Sequence, residues 1–170
     1  MKPRFIGKMV PFENADVAAS FDAFPTPVRG YLLALRGWIF DVAAATDGVG
    51  IIHETLKWRQ PSYARVKKVG TALRLNISKL GGFALYLPFQ TSLIADLHQQ
   101  FTDLQYDGTR AIEFCEGLPP DRAQIEIFIR RALPIILLAV TSREVVRLFL
   151  KQFRFDFVPL FHGLQGRFAA

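Results

Sequence analysis

The sequence has few of the residues and motifs on which common catalytic chemistries depend. Cys115 is the only cysteine, which excludes an intrachain disulfide, a zinc ribbon and a CxxC redox pair. No GxSxG elbow, P-loop or GxGxxG motif is present. His53 and Glu54 begin like a zincin motif, but Lys57 stands where the second histidine belongs. The sequence therefore indicates neither a serine hydrolase, a zinc enzyme nor a nucleotide-phosphate site.

Long apolar segments are also missing. The longest uncharged apolar run extends from Ala132 to Val140 and contains Pro134, far short of the roughly 20 residues that span a bilayer. Near the start, Lys8 and Pro11 interrupt the apolar stretch that a signal peptide would need. We expect no membrane span, no export signal and, given the single cysteine, a cytoplasmic location.

Charge is distributed unevenly along the chain, whose net charge is +6. Residues 57–79 contain seven basic residues and no acidic one, whereas residues 96–126 contain seven acidic residues and two arginines. This polarity is typical either of solvated strand and helix surfaces or of a protein that attracts an anionic partner to one side. The basic segment 57–79 also includes Trp58 and Tyr63, so a nucleic-acid-binding or protein-interaction module is one alternative, although no RRM, KH or OB signature accompanies it.

Length and composition predict one globular domain, because 170 residues with 51% hydrophobic residues are enough for one sizeable core. Pro27 lies at the first position of a predicted helix that ends near Asp47. Its apolar residues recur at spacings of four and three, which is the pattern of a buried stripe. The stripe consists of Val28, Leu32, Leu35, Ile39 and Val42.

Strand patterns follow this helix. We predict strands at residues 55–63, 71–78 and 83–89, with the Gly81-Gly82 pair forming a hairpin turn between the last two. In the strands at 71–78 and 83–89 apolar residues alternate with other types, which places one side of each strand in the core. The alternating residues are Leu73, Leu75, Ile77, Phe83, Leu85, Leu87 and Phe89.

Further elements complete the predicted domain. We expect a helix over residues 91–103, a short strand in 111–115, and a helix that begins at Asp121 and is kinked or stopped by Pro134. The fold class is thus α+β, a single domain with an antiparallel sheet of about four or five strands and helices packed on one face. The predicted boundaries are an N-terminal arm over residues 1–20, the domain over 21–133 and a C-terminal extension, helical in part, over 134–170.

Several segments, in order, resemble the YdhG-like domain family of small bacterial proteins. They read FPTPVRGYLLALRGWIF, ETLKWRQPSY, GGFALYL, QTSLIADLHQQF and DGTRAIEF, and they lie within residues 20–133. The most specific element is the pattern E-T-x-K-W-x-x-P-S-Y at residues 54–63. The resemblance implies a small cytosolic domain, and one member of the family is described as a frataxin-like intracellular iron chaperone.

This chain departs from the family pattern at two positions. Family members usually have glycine after the tryptophan, where this chain has Arg59, and often read G-N-R-A-I where this chain has Thr109. The tail after Leu133 does not resemble the usual ending of the family. Because of these departures, the motifs do not imply that this chain shares a ligand site with its relatives.

The stretch HETLKWRQPSY is the most plausible binding site. Pro61 cannot donate to a ladder and holds Gln60 extended, which predicts an edge strand or a bulge, a break that often lies beside sites. An aromatic wall, a cation and hydroxyl groups would suit a small polar or anionic ligand. The predicted site residues are Glu54, Lys57, Trp58, Gln60, Ser62 and Tyr63.

We interpret the same stretch mainly as a structural corner of the fold that also forms one wall of this pocket. We expect Trp58 to be buried against the first long helix and Arg59 to point to solvent. Glu54 and Lys57 should lie close enough to pair. Ser62 and Tyr63 should open toward a concavity bounded by Gln60.

Function remains open between several classes. A non-catalytic ligand-binding or chaperone-like protein is the leading prediction, with a small-molecule enzyme of unknown type as a further alternative. No cofactor is indicated. A metal ion such as iron would use carboxylates of the acidic segment, chosen by charge alone. These candidates are Asp103, Asp107, Glu113 and Glu116.

Overall fold

A computed structural model describes residues 10–66, 71–88 and 92–133 of the chain. Within these residues it contains four helices and six strands. The helices are α1 Ala15–Asp22, α2 Thr26–Ala45, α3 Leu93–Gln100 and α4 Arg122–Ala132. The strands are β1 Ile52–Lys57, β2 Gln60–Arg65, β3 Leu73–Ile77, β4 Phe83–Tyr86, β5 Gln105–Asp107 and β6 Ala111–Phe114.

The six strands form one antiparallel sheet in the order β1-β2-β3-β4-β6-β5. Alternate residues of the strands point to the side that we call the inner face, where they join buried side chains of all four helices in a single core. The opposite side is the outer face. The predicted α+β class and the antiparallel sheet are confirmed, but the sheet has more strands than the four or five predicted.

The extra strands have identifiable causes. Residues 55–63 were expected to form one strand, but a tight turn at Trp58 and Arg59 divides the segment into β1 and β2. Strand β5 pairs with β6 across Gly108, in the segment between residues 103 and 111 where no strand was predicted. Both differences arise where a short hairpin replaces a single predicted element.

The predicted core stripe of α2 is confirmed. All five of its residues are at most 2% exposed. Of the predicted inward residues of the next two strands, Ile77 is only partly buried, Phe89 lies outside the described residues, and the others are buried: Leu73, Leu75, Phe83, Leu85 and Leu87. The close approach of β4 to β6 requires glycine at position 82, since a Cβ there would lie 1.8 Å from the carbonyl oxygen of Phe114.

The N-terminal segment differs from the predicted arm. Residues Ala15–Asp22 form helix α1, whose start is capped by the side chain of Asn14 accepting from the backbone N–H of Asp16. Val17 and Phe21, one helical turn apart, are buried in the core. Part of the segment predicted as an irregular arm therefore belongs to the packed domain.

Other predictions fall outside the described residues. These are the helical extension over residues 134–170 and the basic residues Lys67 and Lys68. Among the helices of the described ranges, none is long and apolar enough to cross a membrane.

Candidate binding site on the outer face of the sheet

The turn between β1 and β2 has a strained backbone. Its two central residues, Trp58 and Arg59, have φ angles of 51° and 63°. Positive φ at both positions of a two-residue hairpin loop is the type I′ turn, which normally carries Asn-Gly because side chains with a Cβ resist this region. Each such residue costs roughly 1–3 kcal/mol, and such strain clusters at functional sites. Arg59 stands where a glycine would relieve the strain.

Trp58 is 80% exposed at this turn. The prediction that it fills the core under α2 is therefore wrong. The error follows from treating residues 55–63 as a continuous strand, because a residue in a turn is not bound by the alternation of the strands beside it. Arg59 is exposed, as predicted. A large apolar ring thus remains in contact with water.

Arg74, on β3, covers one side of this exposed indole. Its guanidinium carbon lies 4.6 Å from the centroid of the Trp58 ring, and its Nη1 donates a hydrogen bond of 3.1 Å to Oε1 of Gln60. In the described part of the chain, no carboxylate lies within ion-pair distance of Arg74. Partial burial lowers the pKa of the guanidinium, although an arginine stays charged. The site therefore presents a positive charge that an amide and an aromatic ring hold in place.

The register explains why these side chains meet. Ser62 of β2 pairs with Arg74 of β3, and the ladder between the two strands consists of this pair and Tyr63 with Leu73. Pro61 comes just before Ser62, the first residue of β2 that pairs with β3. Its missing N–H therefore breaks no hydrogen bond between β2 and β3. The proline therefore needs neither an edge strand nor a bulge, contrary to the sequence prediction.

Ser62 forms the floor of the site. Strand alternation places it on the outer face with Gln60 and Arg74, and it is fully buried. Its Oγ has no hydrogen-bond partner in the described part of the chain. A buried hydroxyl without a partner costs about 1–3 kcal/mol. We call Trp58, Gln60, Ser62 and Arg74 the outer-face site.

Tyr86, on β4, borders the outer-face site. It pairs across the ladder with Arg74, and its hydroxyl donates to the carbonyl of Ile77 at 3.3 Å. Burial raises the pKa of Tyr86, and the charges of Glu113 and Asp107 add to the effect. The outer face is thus cationic beside the hairpin and anionic toward β5 and β6.

Glu54 lies on the inner face, away from the outer-face site. It is paired with Arg36 of α2 through Nε to Oε1 at 2.6 Å and Nη2 to Oε2 at 2.8 Å. Both side chains are buried, with exposed fractions of 4% and 6%. The predicted pairing of Glu54 with Lys57 is therefore wrong. Residues three apart on a strand face opposite sides of the sheet, and Arg36 of α2 satisfies the carboxylate. Lys57 is exposed beside the turn.

Tyr63 is also on the inner face and is fully buried. It packs edge-on against Phe40, with ring centroids 5.9 Å apart. Burial raises the pKa of its hydroxyl well above the usual value, and the neighbouring charge of Glu54 contributes as well. Within the described ranges, no hydrogen bond of normal geometry reaches that hydroxyl. The prediction that Ser62 and Tyr63 open together toward one concavity is wrong, because consecutive residues of a strand face opposite sides.

The acidic metal candidates are dispersed. The Oδ atoms of Asp103 lie near the amide of Gln124, Asp107 lies 3.9 Å from Lys79, and Glu113 accepts a hydrogen bond of 2.6 Å from Ser78. Over residues 10–66, 71–88 and 92–133, no three His, Cys, Asp or Glu side chains are grouped so as to hold a metal ion.

No family model, curated protein or solved structure matches the chain. The resemblance to YdhG-like domains therefore rests on the sequence motifs alone. What the site does has to be inferred from its chemistry.

The structure unites only part of the predicted site. Trp58, Gln60 and Ser62 lie together, whereas Glu54 and Tyr63 are core residues. Sequence reasoning missed Arg74 as their partner. The alternation in TALRLNIS does assign this residue to the side opposite the core, but the register that brings it to Gln60 has no local signature in the sequence.

Proposed function

We propose that this chain is a non-catalytic binding protein for a small anion that carries a planar group. The observation that carries the proposal is Arg74, a positive charge without a carboxylate partner in the described residues, stacked on an exposed tryptophan. The remaining N–H groups of the guanidinium suit a carboxylate or phosphate. The free side of the indole suits an aromatic or other flat group.

The strain of the hairpin supports a binding role. The stacking of Trp58 on Arg74 stabilises the fold by about 0.5–1 kcal/mol, which is less than the strain of two positive φ angles that Asn-Gly would relieve. The cost is explained if the turn positions the indole for a ligand. Fold stability alone gives no reason for this choice of residues.

The residues of the outer-face site favour binding over catalysis. The site consists of an indole, an amide, a hydroxyl and a guanidinium, and none of these is a general base at neutral pH. Ser62 makes no hydrogen bond to a histidine in the described residues, so none is placed to activate it as a nucleophile. An enzyme of unknown type is therefore the less supported alternative.

Matched pairs of probes test the proposal. Benzoate and adenosine monophosphate carry a planar group and an anion, whereas benzamide and adenosine lack the charge. Titrations followed by the NMR signal of the Trp58 Nε1–H should show saturable shifts for the two anions and weak or no shifts for the neutral partners. Arg74→Gln, which keeps a hydrogen-bonding amide but loses the charge, should weaken anion binding about tenfold or more.

Two results would overturn the proposal. One is that neither anion shifts the Trp58 signal at millimolar concentration. The other is that Arg74→Gln binds the anions as well as the unchanged protein does. Lys79→Gln is the control, because Lys79 is an exposed cation on another turn of the same sheet.

Single-stranded nucleic acid is a second candidate, favoured by one specific observation. Lys57 and Arg59 flank the exposed Trp58, and no carboxylate in the described residues pairs with either. A cation beside a stacking platform is the arrangement of strand-based single-strand binders. Binding of an oligothymidylate that weakens steeply with salt, and less steeply after Arg59→Gln, would favour this candidate over a small ligand.

Membership of the YdhG-like family, with the cytoplasmic location and the iron-chaperone role that it implies, also belongs to the proposal. The sequence motifs support the family. Iron has less support, because the carboxylates of the described residues are dispersed and several are engaged by neighbouring polar groups. Elemental analysis of the purified protein, with mass spectrometry of co-purifying molecules, distinguishes a metal from an organic anion.

A further inference from the structure

Strand β1 is an edge of the sheet, and its outward backbone groups can be identified from the hairpin register. Lys57 and Gln60 flank a two-residue loop, which makes them a hydrogen-bonded pair. Such pairs alternate along the hairpin, as the bond from the N–H of Val66 to the carbonyl of Ile51 shows. The N–H and C=O groups of Ile52, Glu54 and Leu56 therefore point away from β2. None of these groups has a backbone partner in the described residues.

A cleft of about 450 Å³ lies along the first half of this edge. Its walls are mainly apolar: Val10 and Pro11 on one side, Phe40 and Ala43 of α2 above, and Ile52 of β1. Arg36 fixes the first wall, because its guanidinium donates to the carbonyls of Val10 and Pro11. The volume falls within the range of protein ligand sites. A buried arginine thus holds a segment beside the edge strand with a space between them.

The two ends of the edge differ in character. At the start of β1, the side chains of Ile51 and Val66 are 75% and 52% exposed. At its end, the exposed cations Lys57 and Arg59 have no carboxylate within ion-pair distance in the described residues. A partner bound along the whole of β1 would contact apolar surface at the start of the strand and positive charge at its end.

We propose that β1 takes an extended peptide as an additional strand, with apolar side chains at the cleft and acidic residues at the hairpin tip. Backbone hydrogen bonds to Ile52, Glu54 and Leu56 would hold the peptide, and the cleft and the two cations would select its sequence. A strand that matches the six residues of β1 is about 20 Å long. This surface differs from the outer-face site in using the backbone edge and the inner layer, and the two adjoin at the hairpin tip, where Lys57 and Arg59 flank Trp58.

Selective N-methylation of a peptide tests strand addition directly. The probe is a fluorescein-labelled hexapeptide, Val-Thr-Val-Thr-Asp-Glu, measured by fluorescence polarisation with the full chain. Only one of its two edges can face β1. N-methylation of alternate residues on that edge should abolish binding, whereas methylation of the other alternate set should leave it nearly unchanged. Equal effects of the two sets, or no binding of the parent peptide at millimolar concentration, would overturn the proposal.

Chain variants and hydrogen exchange give independent readouts. Lys57→Gln with Arg59→Gln should weaken binding about tenfold and leave the melting temperature nearly unchanged, whereas Lys79→Gln should do neither. The amides of Ile52 and Glu54 should exchange rapidly in the free protein and slowly with the peptide bound. Protection of these amides without peptide would mean that the edge is already covered and would contradict the proposal. So would a dimer that buries the same amides.

Discussion

Arg36 and Arg74 lie on opposite sides of the β1–β2 hairpin, and each stacks on an aromatic ring. The Arg36 guanidinium carbon is 4.0 Å from the centroid of Phe12, and that of Arg74 is 4.6 Å from Trp58. Arg36 is buried and engages two carboxylate oxygens and two backbone carbonyls. Arg74 is half-buried and donates to a single amide among the described residues.

The difference separates a structural arginine from one that is available for binding. Taking a charge out of water is expensive, and Arg36 offsets this cost through a carboxylate in bidentate geometry and further acceptors. Arg74 keeps contact with water and retains unused donors. The same residue type therefore stabilises the fold on one side of the hairpin and offers a recognition group on the other.

The largest expected loss of stability comes from removing the carboxylate partner of Arg36. Glu54→Ala leaves the charge of Arg36 buried without its carboxylate, and we expect it to lower the free energy of unfolding by about 3–5 kcal/mol. Arg74→Ala should cost less than about 1 kcal/mol, because it loses only an exposed stacking contact and one hydrogen bond to an amide. Urea denaturation of both variants tests the comparison. Similar losses in the two would show that the faces do not differ as described.

Tyr63 on the inner face and Tyr86 on the outer face extend the same comparison to the pH dependence of stability. The pKa of Tyr63 is raised by burial, so above pH 10 the unfolded chain releases a proton that the folded chain retains. The folded state then binds more protons, and stability should fall by about 1.4 kcal/mol per pH unit above pH 10. Tyr63→Phe should remove this loss and leave anion binding unchanged.

Tyr86→Phe is the matched control on the outer face. Tyr86 is only partly buried, so its substitution should alter the alkaline slope less. The measurement is urea denaturation between pH 9 and pH 11, a range chosen around the ordinary tyrosine pKa of about 10. An alkaline slope that Tyr63→Phe does not change would place the phenol in water and contradict its burial.

The core could be predicted from the sequence because period two and the helical spacing are local signals. The alternation in TALRLNIS and FALYLPF placed Leu75 and Leu85 in the core, where both are fully buried. The candidate site could be predicted only in part. A type I′ turn is usually announced by Asn-Gly, and here Trp58 and Arg59 occupy it, so the segment read as one strand. That single turn reversed the predicted environment of the tryptophan.

Relieving the backbone strain at Arg59 should have a smaller effect on the free energy of unfolding, and it should stabilise the fold. Arg59→Gly removes left-handed strain of about 1–2 kcal/mol, and the added freedom of the unfolded chain offsets roughly half of that gain. We expect a net stabilisation of about 0.5–1 kcal/mol by chemical denaturation. Arg59→Ala keeps a Cβ at the same φ and should gain little or nothing. Stabilisation by alanine equal to that by glycine would indicate that the effect comes from lost charge instead of relieved strain.

An equally small effect on stability, of opposite sign, is expected at the residue that the sequence alone assigned to the core. Trp58→Ala leaves the strained φ unchanged and loses little more than the stacking with Arg74, about 0.5–1 kcal/mol at an exposed position. Its melting temperature should therefore stay close to that of the unchanged protein, while shifts of the Arg74 Nε–H signal on addition of benzoate or adenosine monophosphate should be lost. Trp58→Phe keeps an aromatic ring and should retain weaker binding. The fluorescence of Trp58→Ala should come from Trp38, which is 3% exposed, so the emission maximum should move to shorter wavelength. A melting temperature that falls as far as that of Glu54→Ala would place the indole in the core and remove the physical basis of the outer-face site.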